Sequence, residues 1–204
     1  MKLVLDKLSA ERGDRAVFAD LSFVVEAGTL MQVSGANGAG KTTLLRILAG
    51  LGAASEGNAI WHRAGDAVSP ADAACFVGHA NAFNDALTVR ENLTYSAALA
   101  GLDSSPPDIA AALDAFGVKS MINRRFGTLS QGQRKRCSLA RLLLDSEGRR
   151  RAWLLDEPFV ALDIDTQAQL ASVISAKLAA GGLVIYTSHQ AVEINAANTQ
   201  EIAL

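Results

Sequence analysis

Gly35-Ala36-Asn37-Gly38-Ala39-Gly40-Lys41-Thr42 gathers three glycines, a lysine and a threonine into one short loop. Such a loop can bring several backbone N–H groups close to phosphate oxygens, an approach that a Cβ would obstruct. A helix opening at Lys41 adds the positive end of its dipole. Lys41 can then reach the outer phosphates, and the Thr42 hydroxyl can ligate Mg²⁺. Further along, Trp153-Leu154-Leu155-Asp156-Glu157-Pro158 is an apolar run ending in two adjacent carboxylates. Asp156 suits Mg²⁺, held through water, and Glu157 suits a general base that polarises an attacking water. Read alone, Asp156-Glu157-Pro158 could equally cap a helix, and the phosphate loop weighs against that.

The segment Leu129-Ser130-Gln131-Gly132-Gln133 adds a second anion cradle, with Ser130 and the Gly132 N–H at the start of a helix. The same residues form a capping box, and both readings can hold together. One phosphate needs only one cradle, so a second one implies a nucleotide gripped from two sides.

The elements needed to position these groups are readable. Leu21–Val25 and Leu30–Ser34 are expected strands, and Lys41 to Ala49 an expected helix stopped by Gly50. Phe76-Val77 is a short strand. Residues 88–101, 107–116 and 131–144 are expected to be largely helical. Ala152–Leu155 and Leu183–Thr187 read as buried strands with a helix over 166–180 between them. The order predicts an α/β fold: a mostly parallel sheet with helices on both faces.

The 204 residues suffice for one domain with a substantial core. A net charge of −2 gives no support for nucleic-acid binding. The cations crowd between Arg124 and Arg151, either as a solvated helix face or as a patch for an anion or partner. The apolar stretch Leu170–Tyr186 is broken by Lys177, Gly181 and Gly182, so no membrane span is expected. The N-terminal residues lack signal-peptide architecture, which predicts a cytoplasmic chain reaching a membrane only through partners. Cys75 and Cys137 have neither metal nor redox spacing and are expected to be reduced, mostly buried thiols.

Taken in order, these motifs resemble the nucleotide-binding subunit of ATP-binding cassette (ABC) transporters over nearly the whole chain. Gly35, Ala36, Asn37, Gly38, Ala39, Gly40, Lys41, Thr42 and Thr43 are similar to the Walker A loop, and Leu154–Glu157 to Walker B. Leu129–Gln133 resembles the signature motif, with Gln131 where glycine is most common. Ala161-Leu162-Asp163 resembles the D-loop, and Thr187-Ser188-His189 the segment carrying the switch histidine. The resemblance implies a P-loop NTPase fold with an N-terminal antiparallel β part, and a helical subdomain over residues 84–145 inserted into one domain, 1–204.

It further implies ATP and Mg²⁺ as ligands, with Thr42 and Asp156 on the metal and Glu157, His189, Lys41 and His79 in catalysis. Ser130, Gly132, Gln133 and Asp163 complete the nucleotide site of a second copy. Integral membrane permease subunits are the implied partners, at the cytoplasmic face of the cell membrane.

Two positions depart from the common pattern. His79 stands where the Q-loop glutamine is usual, and its charge can titrate near neutral pH. No aromatic residue near Arg12-Gly13-Asp14 is placed to stack on adenine; Arg12 is either the stacking plane instead or a solvated loop arginine. Gly78-His79, Asp156 to Asp163 and Thr187-Ser188-His189-Gln190 resemble the ATPase subunit of the cytochrome c maturation (haem exporter) system. Three rivals stand beside this reading. A non-transport ATPase of the same superfamily usually carries a second cassette or long coiled coils. A phosphate-loop GTPase or kinase lacks a Leu129–Gln133 segment. A silent binding module has no need of Lys41, Asp156, Glu157 and His189 together.

Overall fold

The computed structural model describes residues 1–13, 15–78, 82–145, 148, 151–190 and 192–204. Two sheets organise the chain. One is antiparallel, with strands β1 (Lys2–Arg12), β2 (Arg15–Glu26), β4 (Glu56–Arg63) and β5 (Asp66–Val68) in the order β2-β1-β4-β5. The other has five strands, β6 (Ala74–Val77), β7 (Ala152–Leu155), β8 (Leu183–Thr187), β3 (Thr29–Ser34) and β9 (Asn198–Ala203), in the order β6-β7-β8-β3-β9. Every neighbour in the second sheet is parallel, so it is wholly rather than mostly parallel.

Alternation across the pleat explains why β7 and β8 read as unbroken apolar runs. Leu154 and Ile185 face one core, shared with α1 (Lys41–Leu48), β1 and Trp61 of β4. Trp153, Leu155, Val184 and Tyr186 face the other, shared with α6 (Ile164–Ala179) and the helices between β6 and β7. Helix α1 is therefore wedged between the two sheets, with Leu44 and Leu45 fully buried. Each buried leucine contributes on the order of 2 kcal/mol by leaving water.

The four-residue helix α2 (Pro70–Ala73) leads into β6. The segment after β6 holds α3 (Val89–Leu99), α4 (Pro106–Asp114) and α5 (Gln131–Leu139), the last continued by a 3₁₀ turn at Ala140–Leu143. Each opens with a capping box: Thr88 with Glu91, Ser105 with Asp108, Ser130 with Gln133. Two N-terminal N–H donors are satisfied reciprocally in each case.

The structure revises several expectations. The strand read at Leu21–Val25 is the end of a longer β2. Helix α6 begins at Ile164, because Asp163 caps it through Thr166 N at 2.8 Å. Cys137 is buried, and burial pushes its thiol up to about 12, but Cys75 is only partly buried. The crowded cations are not one solvated face. Lys135 is buried, and the Nε and Nη2 atoms of Arg141 are buried without hydrogen-bond partners. Arg149 and Arg150 lie outside the described residues.

Candidate functional site

The loop between β3 and α1 is built as its glycines require, though each serves differently. A Cβ on Gly35 would meet the backbone oxygen of Leu204 at 2.8 Å, just beyond β9. On Gly40 it would collide with Val17 Cγ1. Only at Gly38 (φ +86°) does the position face open space. Gly35 and Gly40 thus let the loop pack against β9 and β2, and Gly38 alone keeps the concave side clear. Gly40 is the N-cap of α1 and offers no capping side chain. The first-turn N–H groups are left for an external anion, and the helix dipole favours one there.

Lys41 is buried, and its Nζ donates to the carbonyls of Gly35 at 2.7 Å and Ala36 at 3.0 Å. The loop therefore curls around a fixed positive charge. Thr42 Oγ1 donates to Asp156 Oδ2 at 2.8 Å, joining α1 to the end of β7. Asp156 is 2% exposed. Its Oδ1 accepts from Thr187 Oγ1 at 2.9 Å, and its N–H donates to Val77 O at 2.8 Å. The carboxylate of Asp156 and the hydroxyl of Thr42 are hard oxygen donors on one spot. With phosphate oxygens completing the shell, that donor set fits Mg²⁺, which keeps few protein ligands. Among the described residues no group of three or more His, Cys, Asp or Glu side chains is arranged to hold a metal ion by itself.

Glu157 follows in a left-handed backbone conformation (φ +49°), rare for a residue with a Cβ and costly unless held in place. Its N–H donates to Thr187 Oγ1 at 2.9 Å, and its carbonyl accepts from Lys135 Nζ at 3.2 Å. Its Oε1 lies 3.4 Å from His189 Nε2. Burial, reinforced by the Arg141 charge, pulls the Lys135 ammonium down to about 8, against the opposing pull of Asp156 and Glu157.

These groups enclose a cleft of about 290 Å³ lined by Arg12, Val17, Asn37, Gly38, Gly40, Lys41, Thr42, Thr43, Asp156, Glu157 and His189. Of the sequence-predicted residues, Asn37, Gly38, Gly40, Lys41, Thr42, Thr43, Asp156, Glu157 and His189 converge there with Arg12, whereas Gly35, Ala36 and Ala39 do not line the cleft. Ser130, Gly132, Gln133 and Asp163 do not line it. Ser130 Oγ accepts from Gln133 N at 3.3 Å, and Gln133 Oε1 accepts from Ser130 N at 3.1 Å. His79 lies outside the described residues.

Sequence reasoning missed Val17, Thr187 and Lys135. Thr187 had a signal: a polar residue ending the apolar run of β8 and fully buried in place. Val17 and Lys135 had none, since only tertiary packing brings Val17 to the cleft and Lys135 to the Glu157 carbonyl.

The family model for ABC transporters matches residues 18–160. A cytochrome c biogenesis ATP-binding export protein, CcmA, of Albidiferax ferrireducens is 40% identical over 207 residues, spanning 99% of this chain and 96% of the relative. The protein of the same name in Dechloromonas aromatica is 40% identical over 205 residues, spanning 99% of each. Among solved structures, an ABC transporter ATP-binding protein of Pyrococcus furiosus superposes with a TM-score of 0.82 at 26% identity, covering 98% of this chain and 97% of that one. The ATP-binding cassette MJ0796, solved as a dimer in a post-hydrolysis state bound to ADP and Pi, gives 0.77 at 19% identity over 92% of this chain and 88% of its own. The last likeness concerns the fold alone. With a family model over most of its length and relatives matched nearly end to end, the chain belongs to the ABC transporter family and, within it, to the group of ATP-binding export proteins those relatives represent.

Proposed function

We propose that this chain is the ATP-hydrolysing subunit of an ABC transporter complex serving c-type cytochrome biogenesis, where it powers haem export or release of a haem-chaperone intermediate. The observation that carries the ATPase reading is the hydrogen-bonded network Thr42, Asp156, Thr187 and Glu157, drawn from α1 and the ends of β7 and β8, with Lys41 beside it in the same cleft. The biogenesis role rests on the names of the relatives and on the resemblance of Asp156–Asp163 and Thr187–Gln190.

In this reading residues 1–204 form one ABC domain, with residues 84–145 as its inserted helical subdomain. ATP lies with its phosphates on the N–H groups of Gly38 to Thr43 and against Lys41. Arg12 and Val17 flank the base. Mg²⁺, held by Thr42 and through water by Asp156, would neutralise charge on the outer phosphates. Glu157 accepts a proton from the attacking water, and His189, already paired with it, contacts the γ-phosphate. His79 takes the position of the usual Q-loop glutamine. Catalysis is mainly positioning and charge neutralisation.

The absence of Ser130, Gly132, Gln133 and Asp163 from the cleft supports a composite site. Two chains pack head-to-tail, and the signature turn of one grips the γ-phosphate bound by the other. ATP closes the pair and hydrolysis releases it.

No helix among the described residues is long and apolar enough to cross a membrane, so in this reading attachment to the cytoplasmic face comes through permease subunits. A groove of about 550 Å³ beside α3 supports a docking place, with Tyr95 at 62% and Leu99 at 71% exposure on its wall and Arg141, whose guanidinium lies over the Phe83 ring, among its lining residues. Its lining includes Ala82, Asn84, Leu87 and Asn92, part of the segment through which closure is passed to the membrane partner. The net charge of −2 gives no support for a nucleic-acid partner.

The direct test is Glu157→Gln. Turnover should fall by about 10²- to 10⁴-fold while ATP binding persists. Normal turnover in that variant overturns the general-base assignment. Co-purification from solubilised membranes should recover integral membrane subunits, whereas recovery of ribosomes or DNA would favour the non-transport rival.

A further inference from the structure

Helix α5 opens with Ser130 and, little more than a turn later, carries a cation directed inward. Lys135 is 6% exposed, and its Nζ donates to the Glu157 carbonyl at 3.2 Å. That carbonyl belongs to a residue whose φ of +49° has to be enforced by its surroundings. The other side of the same residue is fixed by Thr187 Oγ1, 2.9 Å from Glu157 N. The backbone that aims the Glu157 carboxylate is therefore clamped by two elements, β8 and α5. A second close approach joins α5 to this loop: a Cβ on Gly132 would lie 3.4 Å from the Ala161 carbonyl.

We propose that Lys135 is a positioning residue for ATP hydrolysis, anchoring the strained Glu157 carbonyl to the signature helix and so holding the general base in line. This deepens the composite-site reading and rests on it. Through one side chain, the helix that grips a second copy's nucleotide also aims the base acting on its own. The charged groups facing Lys135 are Asp156 and Glu157 from the β7 end, which favour the ammonium, and Arg141, which opposes it. An alkyl side chain could fill the same volume but could not hold the carbonyl. A buried cation is costly to keep without a partner, and a carbonyl beside two carboxylates supplies one.

The test compares Lys135→Met and Lys135→Arg with the wild-type full chain, measuring ATP turnover and ATP affinity. Met should lower kcat by roughly tenfold with KM within about twofold, because the lost interaction acts on the aim of the base and not on binding. Arg, which keeps a charged donor, should restore most of the rate. A wild-type kcat in the Met variant overturns the proposal, as does equal impairment of the two variants or a loss confined to KM.

A mixed dimer separates positioning from damage to helix α5. One chain carries Ser130→Arg and the other Lys41→Ala, leaving one working site. Lys135→Met should impair turnover when placed on the Ser130→Arg chain, whose Glu157 acts, and not on the Lys41→Ala chain, whose signature turn grips. The opposite pattern contradicts the assignment. Wild-type hydrolysis and its loss in Glu157→Gln test the ATPase reading separately, so failure of the Lys135 proposal leaves a distinct signature.

Discussion

Thr42 Oγ1 donates to Asp156 Oδ2 at 2.8 Å across 114 residues of sequence. The same carboxylate accepts from Thr187 at 2.9 Å, so one buried charge pins α1, β7 and β8 together. Hydrogen bonds to a charged group contribute about 1.5–3 kcal/mol each, and the cluster is structural as well as chemical.

Asp156→Asn retains the shape of that cluster and removes its charge. Hydrolysis should drop by at least about tenfold, and the Mg²⁺ concentration giving half-maximal rate should rise, because a neutral amide oxygen is a weaker ligand for a hard cation. A Mg²⁺ titration of steady-state ATPase checks this. An unchanged titration would remove Asp156 from the metal site.

The glycines of the phosphate loop should separate folding from binding. Gly38→Ala meets no atom within 4 Å and suffers only the backbone strain of φ +86°, about 1–2 kcal/mol. Gly40→Ala adds a collision with Val17 Cγ1, on a β-branched side chain that cannot readily swing away. Thermal melts should place Gly40→Ala well below Gly38→Ala, with ATP affinity reduced in both. Equal melting of the two variants would contradict the packing described for Gly40.

Lys135 gives stability a pH dependence of defined sign. Its ammonium titrates at about 8 in the fold against 10.5 in an exposed lysine. The unfolded chain holds this proton more firmly, so the cost of burying it is fully present below about pH 8 and is relieved as pH rises toward 10.5. Urea melts across that window should show wild-type stability gaining on Lys135→Met as pH increases. A constant difference between the two would mean the ammonium is not desolvated.

Much of this site was legible in the sequence because its chemistry demands fixed residue types. Gly38, Lys41, Thr42, Asp156, Glu157 and His189 read as one constellation, and the cleft brings them together. The strands β3, β7 and β8 were legible because a sheet covered on both faces needs apolar residues at consecutive positions. Parts of β2 and β6 were legible too, but β1 and β9 were not. The alternation of β1 is interrupted by bulges between Leu5 and Leu8, and β9 is polar and largely exposed. What places β9 is its register beside β3, from Thr29 with Asn198 to Ser34 with Ala203, which local pattern cannot reveal. Lys135 sits between Arg134 and Arg136 in sequence, and only the packing of α5 singles it out as the inward one.

The central claim is that each ATP is hydrolysed between the phosphate loop of one chain and the signature turn of another. The most direct measurement mixes a Ser130→Arg chain with a Lys41→Ala chain, each inactive alone, and assays the isolated heterodimer. About one working site per heterodimer is expected, because the intact loop of the first chain meets the intact signature turn of the second. No recovery in a verified heterodimer would contradict it.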